Sequence, residues 1–491
     1  MRSRDLPVFP LVADPVRPEV SRDAPEVSVS LGPIGPEHGP KVGLITLGCD
    51  KNTVDSEKIL ATLVVNGARV SSEIEGSDVV MVNTCGFIRS AKEQSLETIL
   101  QAAELREDGT VKALVVVGCM VERYKSELEN EIPEVDLFLG LTEMDSLLPE
   151  LRARGILPDA VEQIPTMERP LRILENETPH TSFLKISEGC DHTCAFCAIP
   201  SFRGLHRSAP LSELVAEAQA LCHQGVQEVN IISQDTTWYG RDLKRKDPKA
   251  PLLPELLGAL VQDTDIPWFR LFYMYPSGIT QGIIELIGDD NSILPYLDMP
   301  IQHGSDKILK SMRRPESQKI IRERVQWLRD WVPDLTLRTT VIVGFPGETD
   351  DDFKMMMDFL EEIAFERVGG FMYSLEDGTA AAGMSGRVPE SLMRERLEQV
   401  MDLQRDISAQ KNARLVGSRM EALVDEIHSD SPYFQKVGQA SVFGTARTIG
   451  QAIDVDGVTH LSPRDALKPG EFVTIEIQES EDFDLIGKVV A

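Results

Sequence analysis

The sequence predicts an α/β protein with an N-terminal parallel α/β domain, a central partial (β/α)6 barrel and a small C-terminal all-β barrel. Apolar strand-like runs alternate with helical patterns from residue 41 to about residue 412, which is typical of parallel sheets covered by helices. Beyond residue 415 the runs are short and separated by glycine-containing turns, which indicates a small barrel. We therefore place the domains at residues 41–155, 176–412 and 415–491.

Composition narrows the class of protein. The chain has 491 residues, enough for several domains with sizeable cores. Residues 1–40 hold eight prolines and little periodicity, so we expect a disordered extension there. No apolar run of about 18 residues occurs, and the N-terminus lacks the apolar centre of a signal peptide. We expect no membrane span and a cytoplasmic location.

Charge and cysteine content narrow the class of protein further. The formal net charge is −29, which disfavours a dominant nucleic-acid-binding role and favours a basic partner, although it is also consistent with solubility alone. The seven cysteines are an odd number, which argues against a fully paired disulfide framework.

The most informative stretch, residues 186–204, reads ISEGCDHTCAFCAIPSFRG and places Cys190, Cys194 and Cys197 in a C-x3-C-x2-C array. Three thiolates at this spacing can bind three irons of a 4Fe–4S cluster and leave the fourth iron without a protein ligand. A zinc site needs four ligands and usually begins C-x2-C, so it fits poorly. The amino and carboxylate groups of S-adenosylmethionine could bind the open iron, and the cofactor could then be cleaved to a radical. Three buried cysteines in an ordinary loop are the weaker alternative.

A second set of cysteines follows the strands of the N-terminal domain. Strands are predicted at 42–47, 79–82, 113–117 and 136–139, with helices at 52–65 and from about 90 to 105. Cys49, Cys85 and Cys119 each follow a strand, and the carboxyl ends of parallel strands meet at one edge. These cysteines therefore predict a second three-cysteine iron–sulfur site. Small buried residues at strand ends, or a zinc site with no apparent fourth ligand, remain the alternatives.

The central domain repeats this arrangement. Six strands are predicted, at 183–187, 228–233, 269–274, 296–301, 336–343 and 369–374. The cysteine array follows the first of them, so its cluster would lie at the carboxyl rim. Residues predicted to contact the cofactor or substrate lie in the array or follow later strands: Phe196, Ser233, Gln234, Gln302, Gly344 and Glu348.

The sequence says less about the roles of four other residues. We expect His192 to be exposed to solvent, although it could tune the array through a hydrogen bond. Arg203 and Arg207 either bind carboxylates or are solvated. Cys222 lies on the apolar face of a predicted helix and is expected in the core.

The C-terminal part begins after a charged helical stretch at about 390–414. Strands are predicted at 419–427, 439–443, 472–477 and 485–490. From residue 415 to residue 491 there are six Lys or Arg and thirteen Asp or Glu, a net of about −7. Such an acidic barrel is a poor binder of phosphates.

The chain resembles the radical S-adenosylmethionine methylthiotransferases over residues 41–491. The stretches that carry the resemblance are TLGCDKNTVDSE, VNTCGFI, VVGCM, EGCDHTCAFCAIPSFRG, MPIQHGSDKILKSMRR and VIVGFPGET. Within that family the sequence QDTT at 234–237 is similar to the branch that modifies an aspartate of the twelfth small-subunit ribosomal protein. The tRNA-modifying branch (MiaB-like) tends to carry Q-N-V-N there. The stretch Leu205-His206-Arg207 departs from the more basic run of the family, which weakens a carry-over to Arg207.

The resemblance implies two 4Fe–4S clusters, two molecules of S-adenosylmethionine and a C-terminal TRAM domain. One cofactor molecule would methylate a sulfur on the auxiliary cluster of Cys49, Cys85 and Cys119. The other would yield the radical that removes hydrogen from the β-carbon of the substrate aspartate. A flavodoxin or ferredoxin would supply electrons. The alternatives are a tRNA methylthiotransferase and a non-catalytic iron–sulfur electron carrier, and tRNA and membrane partners are not expected.

Overall fold

The structure is a computed structural model, and it describes residues 34–71, 74, 76–159, 170–174, 178–289, 292–332, 334–428, 442–464 and 467–490. Most of the predicted extension, residues 1–33, lies outside the described residues. Ile34 already pairs with the N-terminal domain, because its backbone N–H donates to the carbonyl oxygen of Val70 at 2.9 Å. The proposed domain bounds stay predictions.

The N-terminal domain is a parallel five-stranded sheet with strand order β2-β1-β3-β4-β5. Its elements are β1 (Lys41–Thr46), α1 (Asp50–Val65), β2 (Arg69–Ser71), β3 (Val79–Thr84), α2 (Arg89–Glu107), β4 (Ala113–Gly118), α3 (Cys119–Glu131), β5 (Leu137–Leu139) and α4 (Leu147–Ala153). The central strands β3 and β4 are buried along their whole length, as expected for apolar strands covered on both faces. Separate apolar clusters fill the two faces.

The central domain is an open six-stranded parallel sheet with order β13-β12-β11-β10-β9-β6, which confirms the partial barrel. Its elements are β6 (Thr181–Lys185), β7 (Ser187–Glu188), α5 (Ile199–Phe202), β8 (Arg207–Ser208), α6 (Leu211–His223), β9 (Glu228–Ile232), α7 (Arg241–Lys244), α8 (Leu253–Asp263), β10 (Trp268–Leu271), α9 (Gln281–Asp289), β11 (Ile293–Asp298), α10 (Asp306–Ser311), α11 (Gln318–Trp331), β12 (Thr336–Val343), α12 (Asp350–Ile363), β13 (Arg367–Met372) and α13 (Glu390–Ala413). Helices and strands share one large core, against which the partly buried Cys222 packs as predicted.

The C-terminal part is a closed barrel with strand order β14-β15-β16-β18-β17. Its strands are β14 (Arg419–His428), β15 (Val442–Thr448), β16 (Thr459–Arg464), β17 (Phe472–Ser480) and β18 (Leu485–Val489). The prediction missed β16 altogether. It also placed the second strand too early, since β15 continues to Thr448 and residues 439–441 lie outside the described residues.

The three parts pack tightly on one another. One apolar cluster draws Val54 from α1, Trp268 and Tyr296 from the central sheet, and Leu423 from the C-terminal barrel. Arg172, which is fully buried between domains, pairs with Glu57 of α1 and with Glu217 of α6. This packing fixes the N-terminal sheet against the central one, which brings the edge carrying the first three cysteines to the second set.

No helix within the described parts of the chain combines the length and the apolar character needed to cross a membrane.

Candidate active site between two cysteine triads

The three N-terminal cysteines (the auxiliary triad) gather at the carboxyl edge of the first sheet. Cys49 precedes α1 after β1, Cys85 follows β3 directly, and Cys119 begins α3 after β4. Cys49 is exposed, whereas Cys85 and Cys119 are buried. The edge therefore presents one open side, at Cys49, and two thiols held inside the protein.

Glycines allow the loops of this triad to approach one another. Gly48 has φ +101°, and a Cβ placed on it would lie 2.6 Å from the Cβ and 2.9 Å from the Sγ of Cys85. Gly118 has φ +103°, and its Cβ would lie 2.4 Å from Oδ1 of Asn83. Only glycine fits such a backbone without strain, so the loop of Cys49 can lie against Cys85 and the loop of Cys119 can lie against the end of β3.

Burial disfavours ionisation of two thiols of the auxiliary triad. Burial, with a smaller effect of neighbouring Cys49, raises the pKa of Cys85 to about 11. Burial raises the pKa of Cys119 to about 12 and outweighs the nearby Arg203. Iron binds the deprotonated thiol, so a bound cluster would have to offset this cost with its positive charge.

The second set, Cys190, Cys194 and Cys197 (the core triad), lies in the loop after β7. Burial raises the pKa of Cys190 and of Cys197 to about 12 in each case. The backbone N–H of Ala195 donates to the carbonyl oxygen of Met312 at 2.9 Å, which ties the loop to the end of α10. The hydroxyl of Tyr275 lies 3.4 Å from Sγ of Cys194, and the guanidinium of Arg314 lies 4.0 Å from the same sulfur.

His192 lies inside this loop, and the expectation that it is exposed to solvent was wrong. Its ring stacks on Tyr275 with centroids 4.1 Å apart, and its Nε2 lies 2.7 Å from Oδ2 of Asp235. Trp238 covers another side, with ring centroids 4.2 Å apart. Aromatic residues from the next two strand ends enclose the histidine, and sequence spacing alone did not show that they would meet.

Residues of the two triad loops share one apolar cluster. Buried Cys119 belongs to it together with Ala198, which adjoins Cys197, and Phe202 of α5. Tyr273 reaches the auxiliary side, where its hydroxyl donates to Oδ1 of Asp50 at 3.3 Å. Two residues later, Tyr275 contacts the core triad. The loop after β10 therefore contacts Asp50, which adjoins Cys49, and Cys194 of the core triad.

A buried network of charged side chains lies at the same junction, between α1 and the core-triad loop. Arg203, from the end of the core-triad loop, donates to Oδ1 of Asn52 at 2.6 Å, to Asp55 at 3.3 Å and to Glu188 at 2.9 Å. Lys185 bonds both Asp55 and Glu188. Burial opposes charge on Glu188, but Lys185 and Arg203 outweigh it and lower its pKa to about 2. Arg203 therefore binds carboxylates, whereas Arg207 is exposed.

Three of the predicted cofactor contacts surround the core-triad loop. Phe196 is partly buried and packs in an apolar cluster with Ile308 and Phe345. Ser233 is fully buried and bonds Ser187. The amide nitrogen of Gln234 donates to Glu188 at 3.3 Å, while its buried Oε1 has no hydrogen-bond partner. An acceptor of this kind suits a ligand donor such as an amine or hydroxyl.

The other three follow later strands at the same rim. Gln302 has φ +71°, a strained conformation for a residue other than glycine. The Cβ direction of Gly344 is filled by the side chain of Met393, so this glycine offers backbone only. Glu348 accepts from the backbone N–H groups of Gly344 and Phe345 and pairs with Arg396 at 2.7 Å. The Glu348 carboxylate therefore stabilises the loop on which Glu348 itself lies.

The sequence argument did not single out Asn52, Asp55 or Tyr275. The available signal was the polar Asn52 and Asp55 on a helix that begins directly after Cys49. All seven cysteines are free thiols. Within the described ranges, no group of three or more His, Cys, Asp or Glu side chains is arranged to hold a single metal ion.

Known protein families match each of the three parts of this architecture. Residues 41–140 match the uncharacterized protein family UPF0004, residues 184–360 match the Radical SAM superfamily, and residues 416–490 match the TRAM domain. Among solved structures, the radical S-adenosylmethionine methyltransferase TsrM from Kitasatospora setae, with cobalamin and a [4Fe-4S] cluster bound, has a TM-score of 0.49 and 14% identity. The aligned region covers 68% of this chain and 75% of that chain, and the likeness is too weak to carry an argument.

Curated relatives are much more similar. The chain is 44% identical over 452 residues to the ribosomal protein uS12 methylthiotransferase RimO of Myxococcus xanthus, covering 91% of each protein. It is 39% identical over 455 residues to the protein of the same name from Geobacter sulfurreducens, covering 92% of this chain and 99% of that one. The chain belongs to the RimO family of methylthiotransferases, within the radical S-adenosylmethionine enzymes.

Proposed function

We propose that the chain methylthiolates the β-carbon of an aspartate in ribosomal protein uS12, with one 4Fe–4S cluster on each cysteine triad. The observation that supports this most directly is the apolar cluster shared by the triad loops, which contains Cys119 and the neighbour of Cys197, Ala198. A carbon that is to lose hydrogen at one centre and receive sulfur from the other must be within reach of both. The substrate site is therefore the junction between the two sheets.

The residues present fit two clusters. Each triad supplies three thiols and no fourth protein thiol, which leaves one iron of each cluster without a protein ligand. The cradle at Gly48 leaves no room for a larger residue. When bound, the clusters and S-adenosylmethionine supply the radical and methylthio chemistry typical of the family.

The chain's own residues orient and enclose these groups. Tyr275 and Arg314 place two hydrogen-bond donors near the sulfur of Cys194, and donors to cluster sulfurs are one of the means by which proteins tune such centres. The Arg203 network fixes α1 against the core-triad loop and keeps the junction closed from that side. Hydrogen-atom abstraction needs no side-chain general base.

The basic ribosomal protein suits this acidic chain better than tRNA does. The chain carries 79 Asp or Glu against 50 Lys or Arg, and the C-terminal barrel is itself acidic. Attraction to a basic protein gains from that charge, whereas binding of a phosphate backbone is opposed by it. A reduced flavodoxin or ferredoxin as electron donor, and action in the cytoplasm where ribosomes assemble, belong to the same proposal.

The test is anaerobic turnover by the reconstituted full chain with reductant and S-adenosylmethionine, offered either uS12 or tRNA. We expect the mass of one methylthio group in place of one hydrogen on an aspartate of uS12, and unchanged tRNA. The same gain on a tRNA adenosine would assign the chain to the tRNA-modifying class. Unchanged substrates with S-adenosylmethionine cleaved would reject the proposed substrate.

A further inference from the structure

Lys51 is a buried cation at the junction of the two triads. It lies two residues after Cys49, in the first turn of α1, and is only 7% exposed. Its ammonium lies 3.1 Å from the centroid of the Tyr273 ring. The first turn of a helix favours acidic side chains, because the helix dipole is positive there. A lysine at this place is therefore locally unfavourable.

The Lys51 ammonium has fewer carboxylate partners than two other largely buried cations near the triads. Arg203 and Lys185 each pair with both Asp55 and Glu188. Within the described residues, the recorded acceptor for the Lys51 ammonium is its sequence neighbour Asp50, at 3.2 and 3.5 Å. An ammonium has three donors, so this contact leaves capacity for another acceptor.

Oδ1 of Asp50 has hydrogen bonds besides the one from the Lys51 ammonium. It accepts from the backbone N–H of Lys51 at 3.1 Å and from the hydroxyl of Tyr273 at 3.3 Å. These two bonds to Oδ1 remain if the ammonium turns to another carboxylate.

Tyr273 provides an independent sign of function. Its backbone has φ +57°, which is a genuine outlier for a bulky aromatic residue. Its backbone N–H donates to Asp298 at 3.2 Å, which helps hold this conformation. The result is an aromatic platform beneath Lys51 at the carboxyl rim of the central sheet.

We propose that Lys51 binds the side-chain carboxylate of the substrate aspartate. The inference rests on the proposed function and deepens it, because the reacting β-carbon is bonded directly to that carboxylate carbon. Holding the carboxylate at Lys51 would place the β-carbon near Cys49 and near Tyr273, whose loop reaches Cys194 through Tyr275. It would also select aspartate over asparagine.

The test measures equilibrium binding of uS12 to the reconstituted chain without reductant, so that no turnover occurs. The ligands are uS12 and uS12 with its modified aspartate, located by mass spectrometry, changed to asparagine. We expect the wild type to prefer the aspartate form and Lys51→Met to weaken its binding about 10- to 100-fold, which removes the preference. Lys112→Met, at a side chain 79% exposed on the same domain, is the matched control and should retain the preference.

Asp50→Asn distinguishes a substrate contact from a purely structural ion pair. If Lys51 serves the substrate, removal of the competing carboxylate should tighten binding of the aspartate form, opposite in sign to Lys51→Met. If the pair is only structural, both changes should act in the same direction.

Each of the following results would overturn the inference. A preference retained in Lys51→Met would show that another group binds the carboxylate. Weaker binding of S-adenosylmethionine, with the aspartate preference intact, would assign the ammonium to the cofactor's carboxylate instead. If the wild type modifies uS12 yet binds both forms equally, the inference fails alone. If uS12 is neither bound nor modified, the proposed function fails with it.

Discussion

At the scale of single residues, the site depends on a network of buried charged side chains around Arg203. Arg203 contributes three contacts across the junction, to Asn52 and Asp55 of α1 and to Glu188 of the central domain. Removal of one member of such a network leaves the others buried without compensation, which costs more than the intact network contributes. The main contribution of the Arg203 network is therefore to fix the position of the two triads relative to each other.

Arg203→Met should lower the free energy of unfolding by about 3–5 kcal/mol, because Asp55 and Glu188 then share only Lys185. Urea unfolding of the full chain, followed by far-UV circular dichroism, measures the loss. Arg207→Met, at an exposed residue four positions later, is the control and should change stability little. Equal losses in the two variants would contradict a special role for Arg203.

At the scale of elements, the loops at the carboxyl rim are held by the helices that follow them. Asp352, in the first turn of α12, accepts from the hydroxyls of Ser305 and Thr349 and pairs with Lys307. One buried carboxylate therefore joins the loop after β11, which carries Gln302, to the loop after β12, which carries Gly344 and Glu348. Burial opposes its charge, but the bonds from Lys307, Thr349 and Ser305 outweigh burial and hold the pKa of Asp352 well below its usual range.

This pKa shift predicts a pH dependence. A carboxylate with a lowered folded-state pKa stabilises the protein fully above its unfolded pKa of about 3.9 and loses that contribution as the pH falls further. Asp352→Asn should therefore cost about 1–2 kcal/mol at pH 7, and the difference from wild type should shrink below about pH 4. Asp358→Asn, on the exposed side of the same helix, is the control. A difference that is constant with pH would contradict the account.

Much of the element order could be predicted from the sequence, because apolar runs bounded by glycine identify the buried strands. β2 was missed because it is three residues long, and β16 because its sequence THLSPR is short, polar and contains proline. The cysteines could be placed together because parallel topology brings the strand ends to one edge. The partners of His192 and Arg203 could not be predicted in this way. Tyr275 lies 83 residues from His192 in the chain, and Asp55 lies 148 residues from Arg203.

At the scale of the whole molecule, the C-terminal barrel is docked firmly on the central domain. Arg447 is fully buried and pairs with Glu228 of β9 and with Asp425 of β14, to whose Oδ2 it donates at 2.9 Å. Arg270 donates to Glu228 at 2.8 Å and to the carbonyl oxygen of Ile449 at 2.7 Å. The barrel's position is therefore set by charges that are buried only when it is docked.

At this scale, our central proposal is that the two triads hold two separate clusters at one junction. The first sheet brings one triad and the second sheet brings the other, and the apolar cluster at Val54 and Trp268 fixes the sheets together. Because the ligands of the two clusters lie in different domains, removal of one set should leave the other able to bind iron.

The most direct measurement is the iron and sulfide content of the chain with Cys49, Cys85 and Cys119 all changed to alanine, reconstituted anaerobically beside the wild type. The account predicts half the wild-type iron and sulfide, continued cleavage of S-adenosylmethionine, and no methylthio group on uS12. Wild-type iron content in the variant, or a methylthiolated product, would contradict the assignment of a second cluster to these cysteines.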